Sequence, residues 1–488
     1  MTKIRQHQSC ASALHRLETS GALAILGAIF MTAAIGTPAA QAQTPNATRP
    51  TCNGYIPPTT PSPGCTPVYF FQGGADGGDP VGGVTLATSG ALYGTTNGGG
   101  TNQGTVYELT PPGTSGALWG YNLLYSFGAT VVNDGTNPQG PLVIDKNGAV
   151  YGTTPYGGSA NCGVVYTLTP PSAGGAWTYD IIYNFLGGSD GCHPWWAGVV
   201  LGKNGVLYGT TAYGGSSANA GAGWGTVYQL TPPVSPSVTW TPSVLYSFKG
   251  GSDGGLPQAN VLFTGGVLYG TAYTGGIAAC GSLSTEGCGV VFELTPRAGG
   301  KWKESVLYSF AGGGDGGLSS APLIIKSGAL YGTTSQEDSY YDNGGDCTWG
   351  CGTVFELAPP AVSGGAWTET VLYHFVAPYA PPYSTCLTQQ CDASDPVGGV
   401  VFGPNGVLYG TTAQGGPFST GTIFGLTPPA SPGGAWTETV LYDTSFYAPT
   451  GGYTNFPSSP FAGLTAGKGG VFYGTGTGDA GMVFALKL

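Results

Sequence analysis

One short segment, (A/V)-(L/V/F)-Y-G-T, recurs seven times along this chain, with its tyrosine at Tyr93, Tyr151, Tyr208, Tyr269, Tyr331, Tyr409 and Tyr473. The spacings are 58, 57, 61, 62, 78 and 64 residues. A period of that length signals a repeat architecture, in which a unit too small to bury its own apolar face stacks on its neighbours. After each of the first six copies come variants of G-(T/V)-V-(F/Y)-x-L-T-P, as in Gly104 to Pro111, and of W-x4-L-Y-x-F, as in Trp240 to Phe248. D-G-x-x-P and a further apolar run, such as Gly140 to Ile144, complete the unit. Each unit therefore holds four short apolar or β-branched runs bounded by turn residues, which read as four strands. Four antiparallel strands in about 60 residues make the blade of a β-propeller, whereas a β-helix needs a far shorter period.

The ends of the pattern fit each other. The last unit stops after its third strand, Gly481 to Leu488, and the first is preceded by an orphan fourth strand, Pro67 to Phe71. Joined, they complete a seventh blade and leave no open sheet edge. The expected fold is all-β, a seven-bladed propeller over residues 67–488 with its N-terminal strand closing the last blade. Composition agrees: Gly (90) and Pro (38) supply turns, while charged residues are 8%, against roughly 25% in an average domain. At a net charge of −11, the chain lacks the cationic field that binding to nucleic acid or an anionic membrane surface requires.

Residues 1–42 read as a signal peptide. Lys3, Arg5 and Arg16 form a basic n-region, Ala22 to Ile35 an apolar run, and Ala40-Gln41-Ala42 a cleavage site. The run falls short of the roughly 20 residues a membrane span needs, so no span is expected after cleavage. A Pro/Thr-rich linker over 43–66 follows. Ten of the eleven cysteines lie beyond the cleavage site, an even number suited to an oxidising compartment, secreted or periplasmic. Cys52/Cys65, Cys280/Cys288, Cys347/Cys351 and Cys386/Cys391 are close in sequence, leaving Cys162 and Cys192 as a fifth pair. With no C-x2-C pair or suitably spaced histidine, zinc is not indicated.

The YGTT, GTVF, LYSF and DG-x-x-P segments, in fixed order over essentially all of 67–488, resemble the GloVer tandem repeat of exported bacterial proteins. Members commonly carry a C-terminal sorting anchor. Here the chain ends on a strand at Leu488 with no apolar tail or basic stop, so release as a soluble monomer is expected. The resemblance implies no catalytic residues.

In an antiparallel meander, the loop between strands two and three and the linker into the next blade emerge on one face. The long insertions, Ser335 to Cys351 and Val376 to Asp395, fall there. Six tryptophans (Trp119, Trp177, Trp240, Trp302, Trp367, Trp436) share one slot at the start of strand four and read as packing. Trp195, Trp196, Trp224 and Trp349 instead fall in loops of the variable face, together with Tyr156 and Tyr213. Such aromatics suit the apolar faces of sugars or a protein partner. Asp76, Asp134, Asp190, Asp253, Asp315 and Asp392 fill one slot, taken by Tyr453 in the last unit, and read as turn caps. The slot before the motif proline varies: Asp79, Asn137, His193, Leu256, Leu318, Asp395 and Phe456. Of these, Asp79, His193 and Asp395 are the titratable groups expected to face a ligand.

The sequence thus points to a non-catalytic binding protein for a glycan or extracellular partner. A polysaccharide hydrolase or lyase using loop carboxylates is the alternative, and a structural envelope protein a third reading. His193 and His374 are the only histidines beyond residue 42, and no P-loop or H-E-x-x-H occurs. No cofactor is assigned; calcium would rest on Glu337, Asp338, Asp342 and Asp346, which lack an EF-hand's alternation.

Overall fold

The computed structural model describes residues 64–488 apart from 115–116, 130, 132, 173, 216–222, 236, 277–279, 281–285, 336–351, 363, 376–392, 416–420, 432, 445–458 and 479. Residues 1–42, read above as a signal peptide, and most of both long insertions lie outside the described residues. Seven four-stranded antiparallel sheets form the blades of a propeller. Blade 1 spans 85–126, blade 2 143–184, blade 3 200–247, blade 4 262–309, blade 5 324–374 and blade 6 401–443. Blade 7 combines 465–487 with Gly64–Phe70, whose pairing with Met482–Lys487 runs from Gly64 opposite Lys487 to Phe70 opposite Met482. The closing strand is the one expected, and it begins at Gly64 rather than Pro67.

Packing accounts for the repeated letters. The strand-three aromatic lays its ring tip over the glycine of Y-G-T. A Cβ on Gly94 would lie 2.3 Å from the Tyr107 hydroxyl, and one on Gly270 2.5 Å from the Phe292 ring, so no side chain fits there. The first threonine reaches into the following linker: Thr210, Thr333 and Thr411 donate to the carbonyls of Ala259, Gly398 and Ala462. The second ties the sheet, with the Thr96 and Thr105 hydroxyls 2.7 Å apart. The slot tryptophans are wedges between blades. Trp177 packs edge-on against Tyr93 of the preceding blade at 6.2 Å, and Trp119 against Tyr473 at 6.0 Å, across the closure.

The aspartates cap turns as expected and do one thing more. Asp392 lies outside the described residues; the carboxylates of Asp76, Asp134 and Asp190 each accept a backbone N–H of the turn and the hydroxyl of the strand-four tyrosine seven or nine residues back. Asp253 with Tyr246 and Asp315 with Tyr308 repeat the arrangement. The slot that follows has left-handed backbone at Asp79, Asn137, His193, Leu256, Leu318 and Asp395, with φ between 53° and 58°. In the last blade its occupant is Ser459, φ 51°, and not Phe456 as expected. Pro460 takes the place of the motif proline, its Cδ against Gly421 as that of Pro257 lies against Gly225. Two prolines three residues apart made the count ambiguous; by the corrected one Phe456, not Tyr453, replaces the aspartate.

Candidate functional site

The linker between blades 2 and 3 departs most from the repeat. Its start is ordinary: Asp190 accepts from the Leu186 N–H and the Tyr183 hydroxyl. Cys192 then exchanges backbone hydrogen bonds with Tyr213 in the next blade's loop, at 2.8 and 3.0 Å, while the His193 N–H donates to the Cys162 carbonyl of the previous blade at 2.9 Å. The linker is thus stitched to both flanking loops, which brings the Cα atoms of Cys162 and Cys192 to 4.5 Å and permits their disulfide. Strand spacing alone would leave them about 10 Å apart. Cys280 and Cys288 are also bridged, with Cα atoms 4.7 Å apart, and Cys65 is disulfide-bonded. Cys52, Cys347, Cys351, Cys386 and Cys391 lie outside the described residues.

An aromatic cluster rests on this staple. The His193 ring lies 5.0 Å from Tyr156 and 6.0 Å from Tyr213, both edge-on, and stacks on Trp195 at 5.8 Å. Trp195 and Tyr213 meet at 5.1 Å. His193 Nδ1 is 2.7 Å from the Pro155 carbonyl, so it carries the proton and donates, leaving Nε2 as an acceptor. Burial lowers the His193 pKa, opposed by that hydrogen bond, and the imidazole is neutral near pH 7. Burial raises the Tyr213 hydroxyl, with Tyr156 and Glu286 adding to it.

Trp196 is an inserted residue. Val200, opposite Tyr208, follows Pro194 by six places, whereas Thr85, opposite Tyr93, follows Pro80 by five. The extra residue takes φ 51°, uncommon for a bulky side chain, and leaves its indole 37% exposed. Its ring lies 6.1 Å from Phe461 in the linker entering blade 7, which is not a neighbour of blade 3. The contact therefore reaches across the channel mouth.

The other candidates lie elsewhere. Asp79 sits at the seam of blades 7 and 1, its N–H donating to Ala480, and burial raises its carboxyl. Asp395, at the seam of blades 5 and 6, is pushed up to about 7 by burial. Neither shares a seam with His193. Trp224 lies flat over the turn leaving blade 3, where a Cβ on Gly250 would be 2.1 Å from its ring, and it packs with Phe248. It serves the fold rather than the exposed cluster. Trp349 is outside the described residues. Among the described residues no group of three or more His, Cys, Asp or Glu is arranged to hold a metal ion, and no helix is long and apolar enough to cross a membrane.

Solved structures similar to this chain share little sequence with it. A puromycin-hydrolysing peptidase of Mycobacterium tuberculosis matches 88% of this chain at 12% identity and TM-score 0.43, and this chain spans about half, 53%, of that protein. A polysaccharide lyase of family PL25, an ulvan lyase, matches 87% of this chain and 93% of its own at 10% identity and TM-score 0.41. Extracellular domains 1–2 of Drosophila Semaphorin 1a match 83% and 85% at 11% identity and TM-score 0.41. No curated protein matches. The sequence profile of the Gloeobacter/Verrucomicrobia repeat matches residues 42–284 and 159–375, more than half of the chain. With the repeated segments and the blades they build, this match places the chain in the Gloeobacter/Verrucomicrobia repeat family, to which it belongs.

Proposed function

We propose that the protein is an exported binding module that holds a neutral glycan at the mouth of its channel, with Trp195 and Trp196 as the stacking platform. One observation carries the reading: Trp196 is an extra residue in a strained conformation with its indole exposed. Neither the repeat nor blade packing accounts for it, since the other linkers reach their inner strand without it. Positive φ in a bulky residue costs on the order of 1 kcal/mol or more, and with more than a third of the residue left exposed the burial that would offset it is incomplete. Flat aromatic faces suit the C–H faces of sugar rings. The neutral His193, with Nε2 as acceptor, suits a hydroxyl rather than an anionic group. Disulfides and the leader-like N-terminus support a secreted or periplasmic setting.

The test is binding of neutral polysaccharides to the full chain and to Trp195→Ala and Trp196→Ala. Each variant should weaken binding at least about tenfold, as expected for an aromatic hot spot, and melt close to the parent. Unchanged affinity, or a stability loss beyond about 1 kcal/mol, would show that these are packing residues. Asp395 favours a catalytic second reading, since a carboxyl titrating near neutrality can serve as a general acid. Turnover of a polysaccharide, abolished in Asp395→Asn, would establish it.

A further inference from the structure

Seven repeats allow each seam to be compared with the others. Opposite the strand-three leucine, strand four places one residue in the seam with the preceding blade: Tyr121 against Leu109, Tyr179 against Leu168, Pro242 against Leu230, Glu304 against Leu294 and Glu369 against Leu357. In the seam of blades 7 and 1, Tyr121 stacks on Tyr69 at 4.7 Å and its hydroxyl donates to the Asp76 carbonyl at 2.7 Å. In the next seam, Tyr179 stacks on Tyr125 at 4.0 Å, meets Phe127 edge-on at 6.0 Å, and donates to the Asp134 carbonyl.

The seam of blades 2 and 3 keeps this box without its ring. Tyr183 stands where Tyr125 does, Phe185 where Phe127 does, Tyr228 where Tyr166 does and Asp190 where Asp134 does. Pro242 is too short to fill the space, and a cavity of about 140 Å³ opens, lined by Tyr183, Phe185, Asp190, Tyr228, Pro242 and Val244 among others. The Asp190 carbonyl accepts no hydrogen bond among the described residues. An engineered apolar cavity of about 150 Å³ is known to take up benzene, so a single aromatic ring suits the size.

We propose that the seam between blades 2 and 3 binds a para-substituted phenol, whose ring takes the place of the missing tyrosine and whose hydroxyl donates to the Asp190 carbonyl. The aromatic walls provide the stacking and edge-on contacts that hold Tyr121 and Tyr179 in their own seams. The hydroxyl sets the ligand apart from a plain arene, because without it the carbonyl stays unpaired.

The test titrates p-cresol, toluene and N-acetyltyrosinamide into the full chain by ligand-observed NMR. Saturable p-cresol binding at or below millimolar concentration, severalfold tighter than toluene, is expected. If p-cresol alone binds, the source is a free phenol; if the tyrosine amide also binds, it is a tyrosine side chain presented by a partner. Pro242→Tyr should refill the box, abolish p-cresol binding and raise the melting temperature. Val244→Trp, at the exposed rim, should weaken binding severalfold in a chain that melts like the parent. Absence of binding, equal binding of toluene, or p-cresol affinity unchanged in both variants overturns the proposal.

Discussion

Asp134 tests whether the motif aspartates are structural. It is 1% exposed, and its carboxylate accepts the Tyr125 hydroxyl at 2.5 Å and the Gly128 N–H at 2.9 and 3.0 Å. Hydrogen bonds to a charged acceptor contribute about 1.5–3 kcal/mol each. Asp134→Ala removes both and leaves the Tyr125 hydroxyl and the Gly128 N–H without their acceptor in a partly buried seam, so it should cost about 3–5 kcal/mol. Asp134→Asn keeps one acceptor oxygen and should cost about half as much. Tyr125→Phe keeps the ring stacked on Tyr179 and should cost about 1–2 kcal/mol. Combining Asp134→Ala with Tyr125→Phe should cost less than the sum by about 1 kcal/mol, because both remove the same bond. An unfolding entropy of about 2.1 cal/mol/K per residue makes 1 kcal/mol worth roughly 1 °C in a chain this long. Calorimetry should therefore place Asp134→Ala about 3–5 °C below the parent. A shift within about 0.5 kcal/mol, typical of a surface site, would refute the reasoning. So would a chelator lowering the parent's melting temperature as far as the substitution does, because the carboxylate would then be a calcium ligand.

Two further outcomes follow from the seams. Glu304 and Glu369 are each pushed up to about 7, by burial first and then by Asp253 and Asp315 respectively. A carboxyl whose pKa is raised by folding stabilises fully below its unfolded value of about 4.5 and loses that contribution as pH rises to about 7. The parent should therefore lose on the order of 1 kcal/mol per group between those limits after solvent screening. Glu304→Gln with Glu369→Gln should flatten the melting curve against pH, and an unchanged slope would remove these groups from the account. Deleting Gly64 to Phe71 should take the buried Val68 and Phe71 from blade 7 and expose the edge of Met482–Lys487. At about 1.5–3 kcal/mol per buried apolar side chain, plus a lost strand ladder, the variant should melt several degrees lower or aggregate; a parent-like melt would contradict closure by this strand.

Features that every blade shares were legible in the sequence, because seven copies average out local ambiguity. The ring, its N-terminal closure, the tryptophan wedges and the aspartate caps were of this kind. The bridge of Cys162 with Cys192 was legible by pairing off the other cysteines, although its short span arises from a linker stitched to both neighbouring loops. Single-copy features were harder to read. Pro457 and Pro460 are equivalent candidates in a string, and only the left-handed Ser459 and the contact of Pro460 with Gly421 distinguish them. Trp224 has the sequence context of an exposed loop aromatic, but the bare turn at Gly250 gives its indole a surface to cover. Tyr121, Tyr179 and Glu304 alternate like outward residues of an edge strand. That they point into a seam follows from the blade-to-blade twist, which no single strand encodes.

The same comparison indicates where function resides in a molecule built from copies. A residue that every blade carries is accounted for by the ring; one that a single blade carries at some cost to the ring is not. The inserted Trp196, the exposed cluster with His193, and Pro242 at the seam position where blades 1, 2, 4 and 5 carry Tyr121, Tyr179, Glu304 and Glu369, all belong to blade 3 or the linker that enters it. One linker therefore borders both proposed sites, with Asp190 on the seam side and Trp195 and Trp196 on the channel side. The disulfide at Cys192 lies between them and anchors the linker to blade 2. Reducing that bridge in the folded protein should loosen both sites together, because they share the segment it fixes; two independent sites would respond separately.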